Sequence, residues 1–136
     1  MPGKPDFSGE WVLNKAASTL SPGADAVQSA RWSIDHREPV FRHKASFVST
    51  LERKKYEYEL RFDAPGAAHG EEGGWIEWDG DVAVVTFRHP LPGGSAGLMT
   101  VSFRYELTDD GRCIRASEQV RGTSWDQDNV WIFERR

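Results

Sequence analysis

Apolar and polar residues alternate one by one along most of this 136-residue chain, and this alternation is the feature that most constrains its fold. Successive side chains of a β-strand point to opposite faces of a sheet, so an alternating stretch predicts a strand with one buried face. No stretch longer than about ten residues keeps the 3.6-residue period of a helix. The pattern therefore predicts an all-β chain with nine strands, near residues 7–14, 30–37, 40–48, 54–62, 73–78, 82–89, 98–107, 112–121 and 128–135.

Short, turn-forming links join most of these predicted strands. Asp79-Gly80 is typical of a type I′ hairpin turn, and Asp109-Asp110-Gly111 supplies a position of positive φ. Neighbouring strands are therefore predicted to pair in sequence as an up-and-down antiparallel meander. The link between the first two strands is longer, and residues 24–30 within it predict a short helical segment of one or two turns.

The alternation also predicts which side chains face inward. We pair His36 with Phe41 across one hairpin and Phe47 with Tyr56 across the next, which separates an aromatic face from a polar face where Asp35 lies opposite Arg42. The inward set of strands two to four is Trp32, Ile34, His36, Phe41, His43, Ala45, Phe47, Tyr56, Tyr58, Leu60 and Phe62. In strands seven and eight it is Met99, Val101, Phe103, Tyr105, Leu107, Ile114, Ala116, Glu118 and Val120.

A meander with one apolar face buries that face by folding into a sandwich or by closing into a barrel, and closure also removes the exposed edges. We favour an up-and-down antiparallel β-barrel of about 8–10 strands. An even number is expected, because only then do the first and last strands meet as antiparallel neighbours. The count of nine therefore implies that one strand is missed or one is false. Strand number also bears on function, since aromatic side chains fill a barrel of about eight strands, whereas about ten strands leave a cavity.

Length and composition agree with a single domain over residues 1–136. The chain has six Trp, three Tyr and seven Phe, more than a disordered segment carries. Its net charge of −4 argues against nucleic acid as a partner, because that binding depends on neutralising phosphates. The single Cys113 cannot form an internal disulfide. Residues 1–6 lack the apolar run of a signal peptide, and no stretch is long and apolar enough for a membrane span, so a cytoplasmic protein is expected.

The two ends of the chain resemble a known group of barrels. Residues 7–14, FSGEWVLN, resemble the F-x-G-x-W start of lipocalins and intracellular fatty-acid-binding proteins, which belong to the calycin group of ligand-binding barrels. Residues 130–135 are similar to the last strand of fatty-acid-binding proteins, where an R-x-Y pair holds the ligand carboxylate; Trp131 and Phe133 stand at those positions here. The resemblance implies a calycin barrel whose floor is closed by Trp11, stacked on an arginine such as Arg121 or Arg135.

Glu118 is the most informative polar residue, because the alternation places its carboxylate between Ala116 and Val120 on the inward face. A buried carboxylate needs a partner or takes up a proton, and both conditions suit a ligand anchor or a general acid or base. The structural alternative is a carboxylate near the end of the barrel that accepts hydrogen bonds from Tyr, Arg or the backbone.

His36 and His43 face inward on adjacent predicted strands. A neutral imidazole there can donate to a ligand, accept from a tyrosine or bind a metal. No Cys or Asp pattern accompanies the two histidines, so we predict no metal site, and no cofactor is expected. The chain also lacks the G-x-S-x-G, P-loop, G-x-G-x-x-G and H-E-x-x-H signatures of common enzyme families.

Three hypotheses about function follow. The leading one is a binding protein for a small hydrophobic or aromatic molecule inside the barrel. The second is an enzyme for acid/base isomerisation, cyclisation or dehydration of an apolar substrate, with Glu118 and His43 as candidate catalytic residues, so catalysis is left open. The third is a solid barrel that acts as an interaction module through loop residues such as Leu91 and Trp125. The predicted ligand-binding residues are Trp32, His36, Phe41, His43, Tyr56, Tyr58, Phe103, Tyr105, Glu118 and Trp131.

Overall fold

A computed structural model of the chain describes residues 4–22, 24–50, 52–63, 73–90, 98–122 and 126–136. It confirms all nine predicted strands. The strands are β1 (Gly9–Leu13), β2 (Val27–Arg37), β3 (Val40–Ser49), β4 (Arg53–Arg61), β5 (Gly73–Asp79), β6 (Val82–Pro90), β7 (Leu98–Thr108), β8 (Cys113–Arg121) and β9 (Gln127–Arg135). The loop residues Leu91 and Trp125, named above as a contact surface, lie outside the described residues.

The link between β1 and β2 contains two 3₁₀ turns, Lys15–Ala17 and Ala24–Ala26. The predicted helical segment over residues 24–30 is thus shortened to one turn. The reason is that Val27 already pairs with Ser49 of β3, so the strand ladder satisfies backbone groups that a longer helix would have to satisfy internally. Among the residues that the structure describes, none forms a helix with the length and apolar character that a membrane crossing requires.

The nine strands form one antiparallel sheet that curls into a nearly closed barrel. Their order is β4-β3-β2-β1-β9-β8-β7-β6-β5, so the sheet closes through the antiparallel pairing of β1 with β9. Because every neighbouring pair is antiparallel, the two edge strands β4 and β5 run in the same direction. They lie side by side without strand pairing, and we call this gap the seam. An even strand number is therefore not needed, since the meander is interrupted at the seam.

The pairing registers confirm most of the predicted faces. His36 lies opposite Phe41 in the β2–β3 pair, and Phe103 lies opposite Glu118 in the β7–β8 pair. The predicted pairing of Phe47 with Tyr56 is wrong by two residues, because Phe47 lies opposite Lys54. The β3–β4 turn is tighter than predicted, with the Ser49 N–H donating to the Glu52 carbonyl at 2.9 Å. A shift of two residues keeps every side chain on its predicted face, since strand side chains repeat every second residue.

Gly74 of β5 allows an aromatic contact to cross the seam. The Phe87 ring of β6 lies against Gly74, where a Cβ atom would come within 2.6 Å of the ring. The Phe87 ring can therefore extend over β5 at Gly74 and contact Tyr58 of β4, with the ring centroids 5.1 Å apart. Part of the contact across the seam is thus made by Phe87 of β6, the strand next to the edge strand β5.

One end of the barrel is packed solid by aromatic residues. Phe7, just before β1, is fully buried and lies against His36 and Trp78 with ring centroids 5.8 and 6.2 Å away. Trp11 is also fully buried, and the Arg135 guanidinium carbon lies 4.2 Å from its ring centroid. The predicted arginine stacked on Trp11 is therefore confirmed and is Arg135, whereas Arg121 pairs with Asp128. We call this end the closed end.

Candidate functional site

A cavity of about 480 Å³ lies inside the barrel, away from the closed end. We call it the interior cavity. Strands from both sides of the seam contribute to its wall, because β2–β4 and β6–β9 turn their alternating inward side chains toward the same space. The lining residues are Trp32, His43, Ala45, Phe47, Tyr56, Glu57, Tyr58, Phe87, Val101, Phe103, Tyr105, Glu118 and Trp131.

A second space, of about 520 Å³, adjoins the interior cavity and opens beside the 3₁₀ turn at residues 24–26. We call it the mouth. The two spaces share four lining residues, Phe47, Tyr56, Glu118 and Trp131, so the interior cavity communicates with the surface at this point. Tyr56 is half exposed there, as expected of a residue at an opening.

Glu118 projects from β8 at the junction between the interior cavity and the mouth. Its Oε1 accepts hydrogen bonds from Asn129 Nδ2 at 3.0 Å and from Trp131 Nε1 at 2.9 Å. Both donors come from β9, where Asn129 lies directly opposite Glu118. The carboxylate is therefore held in a fixed position by two uncharged donors, which compensates part of its desolvation.

A row of polar groups crosses the barrel interior from β3 to β7. His43 Nδ1 and the Tyr58 hydroxyl lie 2.7 Å apart, and the hydroxyls of Tyr58 and Tyr105 lie 3.3 Å apart. Tyr58 belongs to the edge strand β4 and Tyr105 to β7, so this row also links the two sides of the seam. Burial raises the pKa of both phenols well above the ordinary value, and the Tyr105 pKa is raised further by Tyr58 and Glu118.

The His43 imidazole is neutral at physiological pH. Burial lowers its pKa from 6.5 to about 3, because the charged form loses its hydration without gaining a compensating anion. Its Nε2 is buried and has no hydrogen-bond partner among the described residues, and the same holds for Trp32 Nε1. The two rings contact each other edge to face, with centroids 4.6 Å apart. Two polar atoms thus stand in an aromatic environment beside the interior cavity.

This arrangement is suited to holding a molecule more than to moving protons. The His43 imidazole is a weak proton acceptor with so low a pKa, and its Nδ1 is already engaged by Tyr58. Among the described residues, no group of three or more His, Cys, Asp or Glu side chains lies close enough together to hold a metal ion. What the interior offers is an aromatic wall with one fixed carboxylate and a few hydroxyl, indole and imidazole groups.

The structure brings eight of the ten predicted ligand-binding residues to the interior cavity, and it places His36 and Phe41 elsewhere. These two residues face inward as predicted, but they lie at the closed end. There the Phe7 N–H donates to His36 Nδ1 at 3.2 Å, and His36 Nε2 lies 3.1 Å from Glu38 Oε1. The residues that sequence reasoning did not select for the site are Ala45, Phe47, Glu57, Phe87 and Val101 in the wall and Asn129 behind Glu118.

Comparison with known proteins supports the fold. No protein-family model and no curated protein matches the chain. It is similar to the fatty acid-binding protein in brain tissue of Drosophila melanogaster, at 12% identity and a TM-score of 0.51 over 95% of this chain and 99% of that chain. It is also similar to a point mutant of the REP1-NXSQ fatty acid transporter, at 13% identity and a TM-score of 0.52 over 96% of this chain and 98% of that chain. The chain thus has a calycin-like fold, the nearly closed barrel seen in fatty-acid-binding proteins.

Proposed function

We propose that the protein binds one small hydrophobic or aromatic molecule in the interior cavity. The observation that carries this proposal is the cavity itself, whose volume of about 480 Å³ falls within the roughly 300–1,000 Å³ typical of small-molecule sites. Its wall is mostly aromatic and aliphatic, with a small number of convergent polar groups. Such a lining favours the burial of an apolar ligand, and the polar groups orient the ligand.

The two other hypotheses receive less support. A solid barrel would fill its interior with side chains, whereas this barrel keeps a space open to the mouth. The acid/base hypothesis needs a group with a pKa near the working pH, and the burial of His43 lowers its pKa to about 3. The two similar solved structures are described as a fatty acid-binding protein and a fatty acid transporter, which favours a binding role over these alternatives.

Filling the cavity tests the proposal. Val101 of β7 lines the interior cavity, whereas its neighbour Thr100 points to the opposite face of the sheet. We expect Val101→Trp to abolish saturable binding of a neutral fluorescent probe such as N-phenyl-1-naphthylamine, and Thr100→Trp to leave it unchanged. Urea unfolding of both variants shows whether the fold is retained.

The stability of Val101→Trp gives a second check. An indole forced into a filled core typically costs about 1–3 kcal/mol, whereas an indole placed in an existing cavity gains contacts. Probe binding that is equal in the wild type and in a folded Val101→Trp variant would show that the probe sits elsewhere. Absence of any saturable binding by the wild type would refute the proposal.

A further inference from the structure

We propose that the ligand carries a protonated amine that binds Glu118, with its apolar body in the interior cavity. This inference rests on the proposed function and specifies the chemical class of the ligand's polar group. It differs from the carboxylate that the two similar solved structures imply by their names.

The charge of the lining favours a cationic ligand. No Lys or Arg is among the described residues that line the interior cavity, and the two charged residues there, Glu57 and Glu118, are both acidic. Glu57 belongs to the outward set of β4, opposite Lys44, so Glu118 is the carboxylate on the inward face. A ligand carboxylate would meet a like charge in a partly dehydrated space, where Coulomb interactions are stronger than in water.

The hydrogen bonds that hold Glu118 come from uncharged donors. Asn129 and Trp131 both donate to Oε1 and both are uncharged. They fix the direction of the carboxylate without neutralising it, so its negative charge remains available to a ligand. A charge-assisted hydrogen bond from an ammonium is among the stronger interactions such an oxygen can form.

Aromatic rings lie on the same stretch of wall as that carboxylate. Phe47, Tyr56 and Trp131 line both the interior cavity and the mouth, as Glu118 does. The faces of aromatic rings attract cations, and aromatic enclosures are a recurrent way to bind ammonium groups. An amine at this junction would contact the carboxylate and the rings together, while its apolar part extends toward Phe87 and Phe103.

Among the described residues that line the mouth, Lys54 is the one lysine, and it does not reverse this preference. Lys54 Nζ lies 3.1 Å from Glu52 Oε1, and both residues line the mouth. The pair contributes no net charge, so the described lining of the mouth presents no uncompensated positive charge to an incoming ammonium. The charge pattern along the mouth and the interior cavity thus favours a cation.

The experiment compares three probes of equal length that differ in one group: decylamine, decanol and decanoic acid at pH 7.5. Each is titrated against protein loaded with N-phenyl-1-naphthylamine, and displacement of this neutral dye is followed by fluorescence. We expect decylamine to bind at least tenfold more tightly than decanoic acid, with decanol between them. Glu118→Gln should remove most of the difference between amine and acid.

Glu77→Gln is the matched control, because it removes the same charge from the outward face of β5. It should leave the preference for the amine intact. Dye binding with equal or tighter displacement by decanoic acid would overturn the inference and leave the proposed function standing. An amine preference that survives Glu118→Gln would also overturn it. Failure of the dye and all three probes to bind the wild type would overturn the proposed function as well.

Discussion

Phe62 and Trp78 stack face to face across the seam, with ring centroids 4.5 Å apart and planes inclined by 6°. Phe62 directly follows β4, and Trp78 lies near the end of β5. The C-terminal ends of the two strands therefore lie together, as expected for strands that run in the same direction. Trp78 Nε1 also donates to Glu38 Oε1 at 3.0 Å. Side-chain contacts therefore hold together two edges that strand pairing does not join.

We expect Phe62→Ala to lower the free energy of unfolding by about 2–3 kcal/mol, because it removes a half-buried ring from this contact. Urea denaturation measures the effect. A double-mutant cycle with Trp78→Ala should give a coupling of about 0.5–1.5 kcal/mol, the usual range for aromatic pairs. Strict additivity of the two changes would show that the stacked rings do not support the seam together.

The faces of this barrel could be predicted from the sequence because they depend only on a period of two. Even the error in the β3–β4 register left Tyr56 and Tyr58 on the inward face, since it amounted to two residues. The same alternation would have placed Asn129 inward, because it lies two positions before Trp131 on β9. Alternation does not mark it as a site residue, however, because a single amide at the start of a strand carries no pattern of its own.

The position of a residue along the barrel axis could not be predicted in this way. His36 and His43 share a face of the β2–β3 hairpin, yet His36 lies at the closed end and His43 beside the interior cavity. The difference is made by Phe7, which lies just before β1 in the structure and fills one end of the barrel. The seam could not be predicted from alternation either. Alternation shows which face of a strand is buried, but it does not show whether β5 pairs with β4.

Arg135 is predicted to stabilise the closed end through Trp11. Its guanidinium lies over the indole, and Arg135 Nη1 donates to the Ser8 carbonyl at 2.8 Å. Arg135→Met keeps an apolar side chain of similar length but loses the charge and the donor, so we expect a loss of about 1–2 kcal/mol in thermal or urea unfolding. Arg136→Met, at the next position, should change stability by less than about 0.5 kcal/mol. Equal effects of the two substitutions would exclude a special role for the stacked arginine.

Substitution of Gly9, which also lies at the closed end, is predicted to destabilise the protein. Its φ of +138° is one that L side chains rarely adopt, and an added Cβ would lie 2.5 Å from Arg135 Nη1. Gly9→Ala should therefore destabilise the protein by about 1–3 kcal/mol, from backbone strain and displacement of the arginine. Combining it with Arg135→Met tests the cause: the cost of Gly9→Ala should fall where the arginine is absent. An unchanged cost would assign the whole effect to the backbone.

The Tyr58 hydroxyl is predicted to be the most important polar atom of the interior for stability, because it lies between His43 Nδ1 and the Tyr105 hydroxyl. Tyr58→Phe leaves two buried polar groups without this partner, which should cost about 1–3 kcal/mol. Tyr56→Phe is a matched control two residues away on the same strand and face. Tyr56 is half exposed, so its substitution should cost less than about 0.5 kcal/mol. Similar stabilities of the two variants would contradict the hydrogen-bonded row.

His43 is predicted to make the protein less stable in mild acid. Burial lowers its pKa to about 3 in the folded state, so between about pH 6.5 and 3 the unfolded chain takes up a proton that the folded chain does not. The contribution of neutral His43 to the free energy of unfolding is fully present above pH 6.5. It is lost as the pH falls, by about 2 kcal/mol at pH 5. The phenols of Tyr58 and Tyr105 do not titrate in this range, since even an unperturbed phenol has a pKa near 10 and burial raises both pKa values further.

The pH effect is measured by urea unfolding of the wild type and of His43→Asn at pH 7.5 and pH 5. Asparagine keeps a polar group near the position of Nδ1 but does not titrate, so the variant should lack this part of the acid sensitivity. We expect the stability gap between the two proteins to change by about 2 kcal/mol in favour of the variant at pH 5. A gap that is the same at both pH values would mean that His43 takes up its proton in the folded barrel, which requires an anion or water beside it and a more hydrated interior.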